Sequence, residues 1–180
     1  MDIYFGSRVV LNMLIGIQGG LGSGKTLLMT RYLVKDYQMG RHIVANFGLN
    51  IIDFDKLNVK SLLDNETDLH DVSVGIDEFT VFADCRRSMS NTIITYFILQ
   101  TRKRNVCLYY TTQDFSMIDK RVLRHTDIFI TADEVEDNKG IREYIVIDER
   151  KRKTMLSSFT LDIEPMFKYY DTNEVIMPLE

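Results

Sequence analysis

The sequence is short of the residues that staple small proteins or hold transition metals. Only two cysteines occur among 180 residues, and tryptophan is absent. Cys85 and Cys107 lie far apart without a CxxC context, which excludes a disulfide framework and predicts free, buried thiols in a reducing cytoplasm. His42, His70 and His125 lack the spacing of metal ligands, so no transition-metal site is predicted.

The sequence also lacks an excess of positive charge and a long apolar run. A net charge of -4 excludes a generally basic nucleic-acid coat, so any DNA contact must use local basic loops. The longest uncharged run, 9–24, contains five glycines and falls short of the ~20 apolar residues of a membrane span. Asp2 stands where a signal peptide carries positive charge. We therefore expect no direct membrane insertion.

What the sequence does have is an alternation of strand and helix signals. The predicted elements are strands at 13–17, 42–46, 72–76, 106–111 and 127–131, and helices at 25–38, 56–63, 88–102 and 117–123. This order predicts an α/β fold with a mostly parallel sheet flanked by helices on both faces. Two further strands, 141–148 and 154–161, surround a charged turn and predict a C-terminal β-hairpin at the sheet edge.

The expected organisation is one compact domain between two short flanking segments. Apolar residues make up 45% of the chain, and its length suits one domain with a real core. Residues 1–12 are interpreted as an N-terminal arm, and 13–162 as the domain, with the hairpin at 141–162. Residues 163–180 are weakly determined and are interpreted as a C-terminal tail.

A phosphate-binding loop follows the first predicted strand. Residues 19–26 match the pattern G-x-x-x-x-G-K-[ST], in which glycines turn backbone N–H groups toward phosphate. Lys25 is expected to contact the β- and γ-phosphates, and the Thr26 hydroxyl to bind Mg²⁺. The predicted nucleotide-binding residues are Gly19, Gly20, Leu21, Gly22, Ser23, Gly24, Lys25, Thr26 and Leu27. A glycine-rich turn without a ligand is the alternative, but the flanking strand and helix favour nucleotide binding.

An acidic pair ends the apolar strand 72–76. Asp77 is predicted to hold Mg²⁺ through water, and Glu78 to polarise the attacking water. Without the phosphate loop, such a pair would be interpreted as a solvated loop. Glu78 directly after the metal-binding aspartate favours ATP hydrolysis over a GTPase switch. Residues 138–141 do not complete a guanine-reading Asn-Lys-x-Asp motif.

Two amide side chains at predicted strand ends are further candidates. In the additional-strand, RecA-like P-loop fold, a strand between the phosphate loop and the acidic pair ends near the γ-phosphate. Gln113 is therefore predicted to sense that phosphate or orient water, the alternative being a turn residue that caps 114–119. Asn46 is either a restraint that holds Glu78 inactive until a partner binds, or an asparagine that begins a loop.

Taken together, these motifs resemble the FtsK/HerA superfamily of DNA-pumping P-loop ATPases. The resemblance rests on residues 19–26, 76–79, 100–104 and 111–113. The segment 102–106, followed by 112–113 and 120–121, is similar to Zot-like proteins and small viral genome-packaging ATPases. The resemblance covers about 13–131.

This resemblance implies a homo-oligomeric ring, a hexamer or pentamer, with ATP between subunits and double-stranded DNA in its pore. Each subunit would supply an arginine to its neighbour's γ-phosphate. Arg102 matches the arginine before the penultimate core strand, and Arg121 and Arg124 lie near where other members place this residue. Each of the three is alternatively a surface charge.

The predicted function is an ATP-hydrolysing motor that translocates DNA during viral genome packaging. The transmembrane helix usual in Zot-like proteins and the separate DNA-reading domain of FtsK are both missing from this sequence. Basic clusters at 102–104, 120–124 and 150–153 are candidate DNA-backbone contacts or solvated faces. Capsid vertex or portal proteins are the implied further partners, with the protein in the host cytoplasm or the virion.

Two rival functions stay open. One is a Zot-like, membrane-partnered ATPase for virion morphogenesis or secretion, whose hydrolysis would ignore DNA. The other is a small-molecule kinase, with Arg86 and Arg87 as part of an arginine-rich lid.

Overall fold

The computed structural model contains one eight-stranded sheet with helices on both faces. It describes residues 12–51, 53–57, 69–80, 88–134, 140–149 and 154–170. The strands are β1 (Leu14–Gln18), β2 (His42–Ala45), β3 (Asp55–Lys56), β4 (Val72–Ile76), β5 (Cys107–Thr112), β6 (Ile128–Glu134), β7 (Ile141–Asp148) and β8 (Met155–Asp162). The helices are α1 (Lys25–Gln38), α2 (Ser88–Thr101) and α3 (Lys120–Leu123), with short 3₁₀ helices at Phe115–Met117 and Glu164–Tyr169.

The strand order across the sheet is β3-β2-β4-β5-β1-β6-β7-β8. Strands β1 to β6 pair in parallel, and β7 and β8 add an antiparallel pair at the edge. The predicted mostly parallel sheet with an edge hairpin is confirmed. Strand β5 separates β1 from β4, as the additional-strand arrangement requires.

The central strands are apolar because both faces of the sheet are covered. Every residue of β4 and β5 is buried. On one face, α1 packs Leu28 and Tyr32 into a cluster with Ile17. On the other face, Ile98 of α2 and Val122 of α3 pack with β4 and β5. The carboxyl ends of β1, β4 and β5 therefore meet at one edge, between the two layers.

A buried polar network holds α1 against the start of β4. The Asp36 carboxylate accepts hydrogen bonds from Ser73 Oγ (2.6 Å) and Tyr109 Oη (3.0 Å). Arg41 donates to Ser73 Oγ (2.8 Å) and to the Val72 carbonyl oxygen (2.6 Å). Because Asp36 and Arg41 are both buried, these bonds offset their desolvation and restrict β4 to one position beside α1.

The predicted helix 117–123 is divided into two shorter elements. Asp114 accepts from the Ser116 N–H (2.7 Å) and begins the 3₁₀ helix Phe115–Met117. Asp119 accepts from the Arg121 N–H (2.7 Å) and begins α3. Each aspartate caps the start of a separate helix, so two short helices form where the apolar periodicity predicted one.

Two other predicted regions differ from expectation or lie outside the description. Asp55–Lys56 forms the edge strand β3, which the sequence did not predict, and most of the predicted helix 56–63 lies outside the described residues. In the segment interpreted as a tail, Glu164–Tyr169 forms a 3₁₀ helix that contacts α1.

The prediction of a free, buried thiol is confirmed for Cys107. Cys107 is free and buried in β5, and burial raises the pKa of its thiol to about 12. Cys85 lies outside the described residues. Among the helices described, none combines the length and apolar character needed to cross a membrane.

Candidate nucleotide-binding site

The loop between β1 and α1 packs so tightly that a side chain at either of two of its glycines would displace neighbouring atoms. A Cβ on Gly19 would lie 2.4 Å from Ser23 Oγ and 2.5 Å from the Ala132 carbonyl oxygen. Gly24 has φ +91°, and a Cβ there would lie 2.8 Å from Tyr144 Oη. The glycines thus permit both the backbone turn and its close packing.

The inside of this loop has the character of an anion site. Lys25 is buried, and its ammonium donates to the Gly20 carbonyl oxygen (2.7 Å) at the mouth of the loop. The buried Ser23 hydroxyl has no hydrogen-bond partner among the described residues. The first turn of α1 has neither an acidic residue nor a side-chain cap, so no side chain neutralises the helix N-terminus beside the loop. A positive charge, an unsatisfied hydroxyl and a helix N-terminus together suit a phosphate.

The acidic pair lies beside this loop, across the sheet edge. Thr26 Oγ1 donates to both oxygens of the Asp77 carboxylate, at 3.0 and 3.1 Å. Thr111 Oγ1, from the intervening strand β5, also donates to Asp77 Oδ1. Asp77 is buried, so these two hydroxyl groups replace its lost hydration.

Both carboxyl groups of the pair are shifted toward the protonated form. Burial raises the pKa of Asp77 above its usual range, against the opposing hydrogen bonds from Thr111 and Thr26 and the charge of Lys25. Burial and then the Asp77 charge raise the pKa of Glu78, which Lys25 opposes. A carboxylate with a raised pKa is a better proton acceptor, as a general base requires.

The backbone of Glu78 is held in an uncommon conformation. Its φ is +50°, and its N–H donates to Thr111 Oγ1 (3.0 Å). For a residue other than glycine this region is sparsely populated, and it persists here because the hydrogen bonds around the strand end restrain it. Thr111 therefore holds both acidic residues at once, a role that sequence reasoning missed.

Asn46 contacts Asp77 rather than Glu78. Its side-chain oxygen accepts from the Asp77 N–H (2.7 Å), and its amide donates to the Asp77 carbonyl oxygen (3.0 Å). These paired bonds clamp the peptide units on either side of the aspartate. The structure therefore gives Asn46 a part in aligning the end of β2 with the end of β4, and its alternative role as a restraint on Glu78 stays a hypothesis.

The donor set at this edge fits a magnesium ion. Thr26 and Asp77 present a hydroxyl and a carboxylate side by side. In the described part of the chain, no group of three or more His, Cys, Asp or Glu side chains could enclose a metal. Mg²⁺ characteristically takes one or two protein oxygen ligands and completes its shell with phosphate oxygens and water, which matches this pair.

The edge hairpin contributes two side chains that sequence reasoning also missed. Arg142 of β7 is buried and donates through Nε and Nη2 to the Gly22 carbonyl oxygen, both at 3.3 Å. Tyr144 Oη donates to the Gly24 carbonyl oxygen (3.0 Å). Strand β7 thus fixes the second half of the phosphate loop. Alternating inward residues two positions apart were the available signal, since they share one face of a strand.

The predicted sensor lies at the same edge as the phosphate loop. Gln113 is exposed immediately after β5, which pairs with β1 up to Gln18 and Thr112. Gln18 itself links β1 to its neighbours, donating to Thr131 Oγ1 (3.1 Å) and accepting from the Phe115 N–H (3.0 Å). Gln113 is thus placed beside the site, and its role as a phosphate sensor stays a prediction.

The candidate trans-acting arginines lie away from this site. Arg102 and Arg124 both line a cavity of about 500 Å³ near the start of β6. Arg102 forms an ion pair with Asp127 (2.9 Å), whose other oxygen accepts from the N–H of Leu14 at the start of β1 (2.9 Å). Since β1 and β6 are parallel, this cavity and the phosphate loop occupy opposite edges of the sheet.

Arg121 forms an ion pair with Asp119 (2.9 Å), the residue that caps the start of α3. The basic cluster 150–153 lies outside the described residues.

A cavity of about 310 Å³ opens from the phosphate loop toward the C-terminal segment. It is lined by Gly22, Gly24, Lys25, Thr26, Leu27, Arg142, Ile163, Phe167 and Tyr170. Five of the predicted nucleotide-binding residues therefore line one cavity. Leu21, by contrast, projects into solvent with 82% of its surface exposed.

No protein-family model matches the sequence, and neither does any curated protein. The structure is similar to the N-terminal domain of zonular occludens toxin from Neisseria meningitidis, with a TM-score of 0.65 and 17% identity over 89% of this chain and 100% of that one.

Two further similar structures are a packaging ATPase and a helicase. The DNA-packaging ATPase of Sulfolobus Turreted Icosahedral Virus has a TM-score of 0.60 and 12% identity, over 81% of this chain and 96% of that one. A DnaB-like replicative helicase has a TM-score of 0.61 and 14% identity, over 88% of this chain and 57% of that one. At these identities the likeness establishes the fold: the chain is folded as a P-loop NTPase and is similar to Zot and packaging ATPases.

Proposed function

We propose that this protein is a magnesium-dependent ATPase that translocates double-stranded DNA to package a viral genome. One observation carries the hydrolytic part. The buried Asp77 carboxylate accepts the Thr26 hydroxyl of the phosphate loop at 3.0 Å, and Glu78 adjoins it. This hydrogen bond supports the assignment of Thr26 and Asp77 as the metal-binding pair, and of Glu78 as the candidate base, beside the loop that would hold the γ-phosphate.

In the proposed reaction, Glu78 accepts a proton from a water molecule as the water oxygen attacks the γ-phosphorus. The bond from that phosphorus to the bridging oxygen breaks, and ADP leaves with the bonding electrons. Lys25 leaves the Gly20 carbonyl oxygen to contact the β- and γ-phosphates. When bound to Thr26 and Asp77, Mg²⁺ would supply positive charge to the phosphate oxygens.

The positions of Arg102 and Arg124 support hydrolysis between subunits. Both lie at the sheet edge opposite their own phosphate loop, so neither can reach a γ-phosphate bound in the same subunit. A neighbouring copy in a ring, hexameric or pentameric, could receive either one. This arrangement makes the arginine side chain of one subunit part of the next subunit's site.

The DNA-translocating part of the proposal rests on charge placement and on likeness. The cluster 102–104 follows α2, and 120–124 includes α3, which contacts α2. Two basic segments thus lie near each other and suit sequence-independent contacts with phosphate groups. One similar structure is a DNA-packaging ATPase and another a replicative helicase. Capsid vertex or portal proteins would be the further partners, in the host cytoplasm or the virion.

A Zot-type morphogenesis ATPase is the second candidate function. The structural similarity to the zonular occludens toxin domain, which this chain covers completely, supports this second function. Such a protein would dock on a separate membrane protein, and its hydrolysis would not respond to DNA.

The test is ATP hydrolysis with and without double-stranded DNA, in the wild type, Glu78→Gln and Glu143→Gln. Glu143 is exposed on β7, so its variant makes the same chemical change outside the site. We expect DNA to stimulate the wild type and Glu143→Gln alike, and Glu78→Gln to lose about 100-fold or more.

The outcomes separate the candidate functions. Hydrolysis that ignores DNA would refute the motor and favour the Zot-type function. Phosphate transfer to a small acceptor, with little release to water, would indicate a kinase. Turnover per subunit that stays constant on dilution through any assembly transition would contradict the role given to the arginines.

A further inference from the structure

Residues 163–170, which we name the strap, lie across the mouth of the phosphate loop. Its first residue donates from the Ile163 N–H to the Gly140 carbonyl oxygen (3.0 Å) beside β7. At its other end, the Asn50 N–H donates to the Tyr169 carbonyl oxygen (2.7 Å), and Leu49 forms a β-bridge with Tyr170. The strap therefore spans from the hairpin to the loop after β2 and is anchored at both ends.

Its side chains anchor the strap in the core and line the cavity, and Ile163 does both. Ile163 and Met166 are buried in the core cluster that includes α1. Phe167 and Tyr170 line the cavity that contains Lys25 and Thr26. Met166 therefore fixes the backbone while the next residue, Phe167, presents its ring to the cavity.

The exposed ring of Phe167 gives that cavity an aromatic surface. Its side chain is 46% exposed, although it is held on an anchored segment beside a polar loop. Tyr170 is partly buried nearby, where burial and then the Asp77 charge raise the pKa of its hydroxyl. Phe167 and Tyr170 line the same cavity as Lys25 and Thr26, so one cavity joins aromatic surface to the phosphate site.

We propose that the strap is the nucleoside-binding wall of this site, with Phe167 and Tyr170 as aromatic contacts for the base. This inference rests on the proposed nucleotide-binding function and adds the residues that bind the other half of the ligand. A nucleoside attached to phosphates in the loop would extend into the cavity lined by Leu27, Ile163 and the two rings. A flat heteroaromatic base is the part of a nucleotide that stacks on such surfaces.

The strap should strengthen binding of any nucleotide with a planar base relative to a polyphosphate without a base. Phe167 offers a π-face without hydrogen-bonding groups, and stacking is tolerant of base identity because every base has such a face. The discriminating comparison is therefore a nucleotide against a bare polyphosphate, rather than one purine against another.

The experiment is calorimetric titration of the full chain with Mg²⁺ and either adenylyl imidodiphosphate or tripolyphosphate. We expect Phe167→Ala to weaken binding of the ATP analogue about tenfold, while tripolyphosphate binding stays the same. Phe167→Leu, which keeps apolar volume but loses the π-face, should recover only part of the loss. The control is Leu156→Ala, since Leu156 is a large apolar side chain, 73% exposed, on β8.

The outcomes distinguish failure of the nucleoside wall from failure of the proposed function. Unchanged analogue affinity in Phe167→Ala and Tyr170→Ala, with both ligands still bound, would overturn the nucleoside wall alone. Equal losses for analogue and tripolyphosphate would also overturn it, because the variant would then act on the phosphate loop. A wild-type protein that binds neither ligand would overturn the proposed function and this inference together.

Discussion

Removing the Thr111 hydroxyl tests whether one side chain holds both acidic residues. In Thr111→Val the shape is nearly kept, but Asp77 Oδ1 loses a donor and the Glu78 N–H loses its acceptor. A hydrogen bond to a charged group contributes about 1.5–3 kcal/mol, and an unsatisfied buried donor costs about 1–3 kcal/mol. We therefore expect the free energy of unfolding to fall by about 3 kcal/mol.

The neighbouring Thr112 provides a matched control. It is also buried in β5, but its hydroxyl donates only to the Asp114 carbonyl oxygen (3.1 Å), away from the acidic pair. Thr112→Val should cost about 1 kcal/mol, the value of one neutral hydrogen bond. Urea denaturation of the two variants at the same pH measures the difference.

ATP hydrolysis separates a positioning role from simple stabilisation. Because Thr111 orients the predicted metal-binding carboxylate, its valine variant should lose about 10- to 100-fold in activity under conditions where it is folded. Thr112→Val should keep wild-type activity. Equal stability and equal activity in the two variants would refute the role given to Thr111.

Two other predictions concern the loop and the core. Gly24→Ala should abolish binding of the ATP analogue in calorimetry, because its Cβ would lie 2.8 Å from Tyr144 Oη at a φ of +91°; analogue affinity equal to wild type would show that β7 yields easily. The Cys107 thiol, with a pKa raised to about 12, contributes stability that is present below its ordinary pKa near 9 and is lost as pH rises toward 12. Between those values the free energy of unfolding should fall by about 1.4 kcal/mol per pH unit more in the wild type than in Cys107→Val. Urea denaturation at pH 8 and at pH 10 measures it, and an equal change between the two pH values in both proteins would contradict the prediction.

The predictions that rested on contiguous residues agree with the structure most closely. Helix α1 has the predicted bounds, and β4 and β7 also match. In these segments the local signals agree: the glycine loop precedes a helix, and the apolar runs are strands buried in the sheet. The split of 117–123 was missed because Asp114 and Asp119 cap separate turns, and capping by side chains competes with periodicity.

The relative position of the phosphate loop and the acidic pair also followed from the sequence. Parallel strands place their carboxyl ends at one edge, so motifs that end two such strands meet there whatever lies between them. The hydrogen bond from Thr26 to Asp77 joins residues 51 positions apart in the chain. Periodicity and motif spacing were sufficient for that proximity.

What the sequence by itself determined was the loop, the acidic pair and the alternation that makes the sheet, because local backbone preferences and apolar periodicity encode them. Only the tertiary structure assigned Thr111 to the acidic pair, Arg142 and Tyr144 to the phosphate loop, and the strap to the cavity mouth. Each of these contacts joins distant segments, as when Arg142 meets a carbonyl oxygen 120 positions away. The alternation along β7 marks Arg142 and Tyr144 as facing inward, but it does not identify their partners, which are set by how the strands and helices pack.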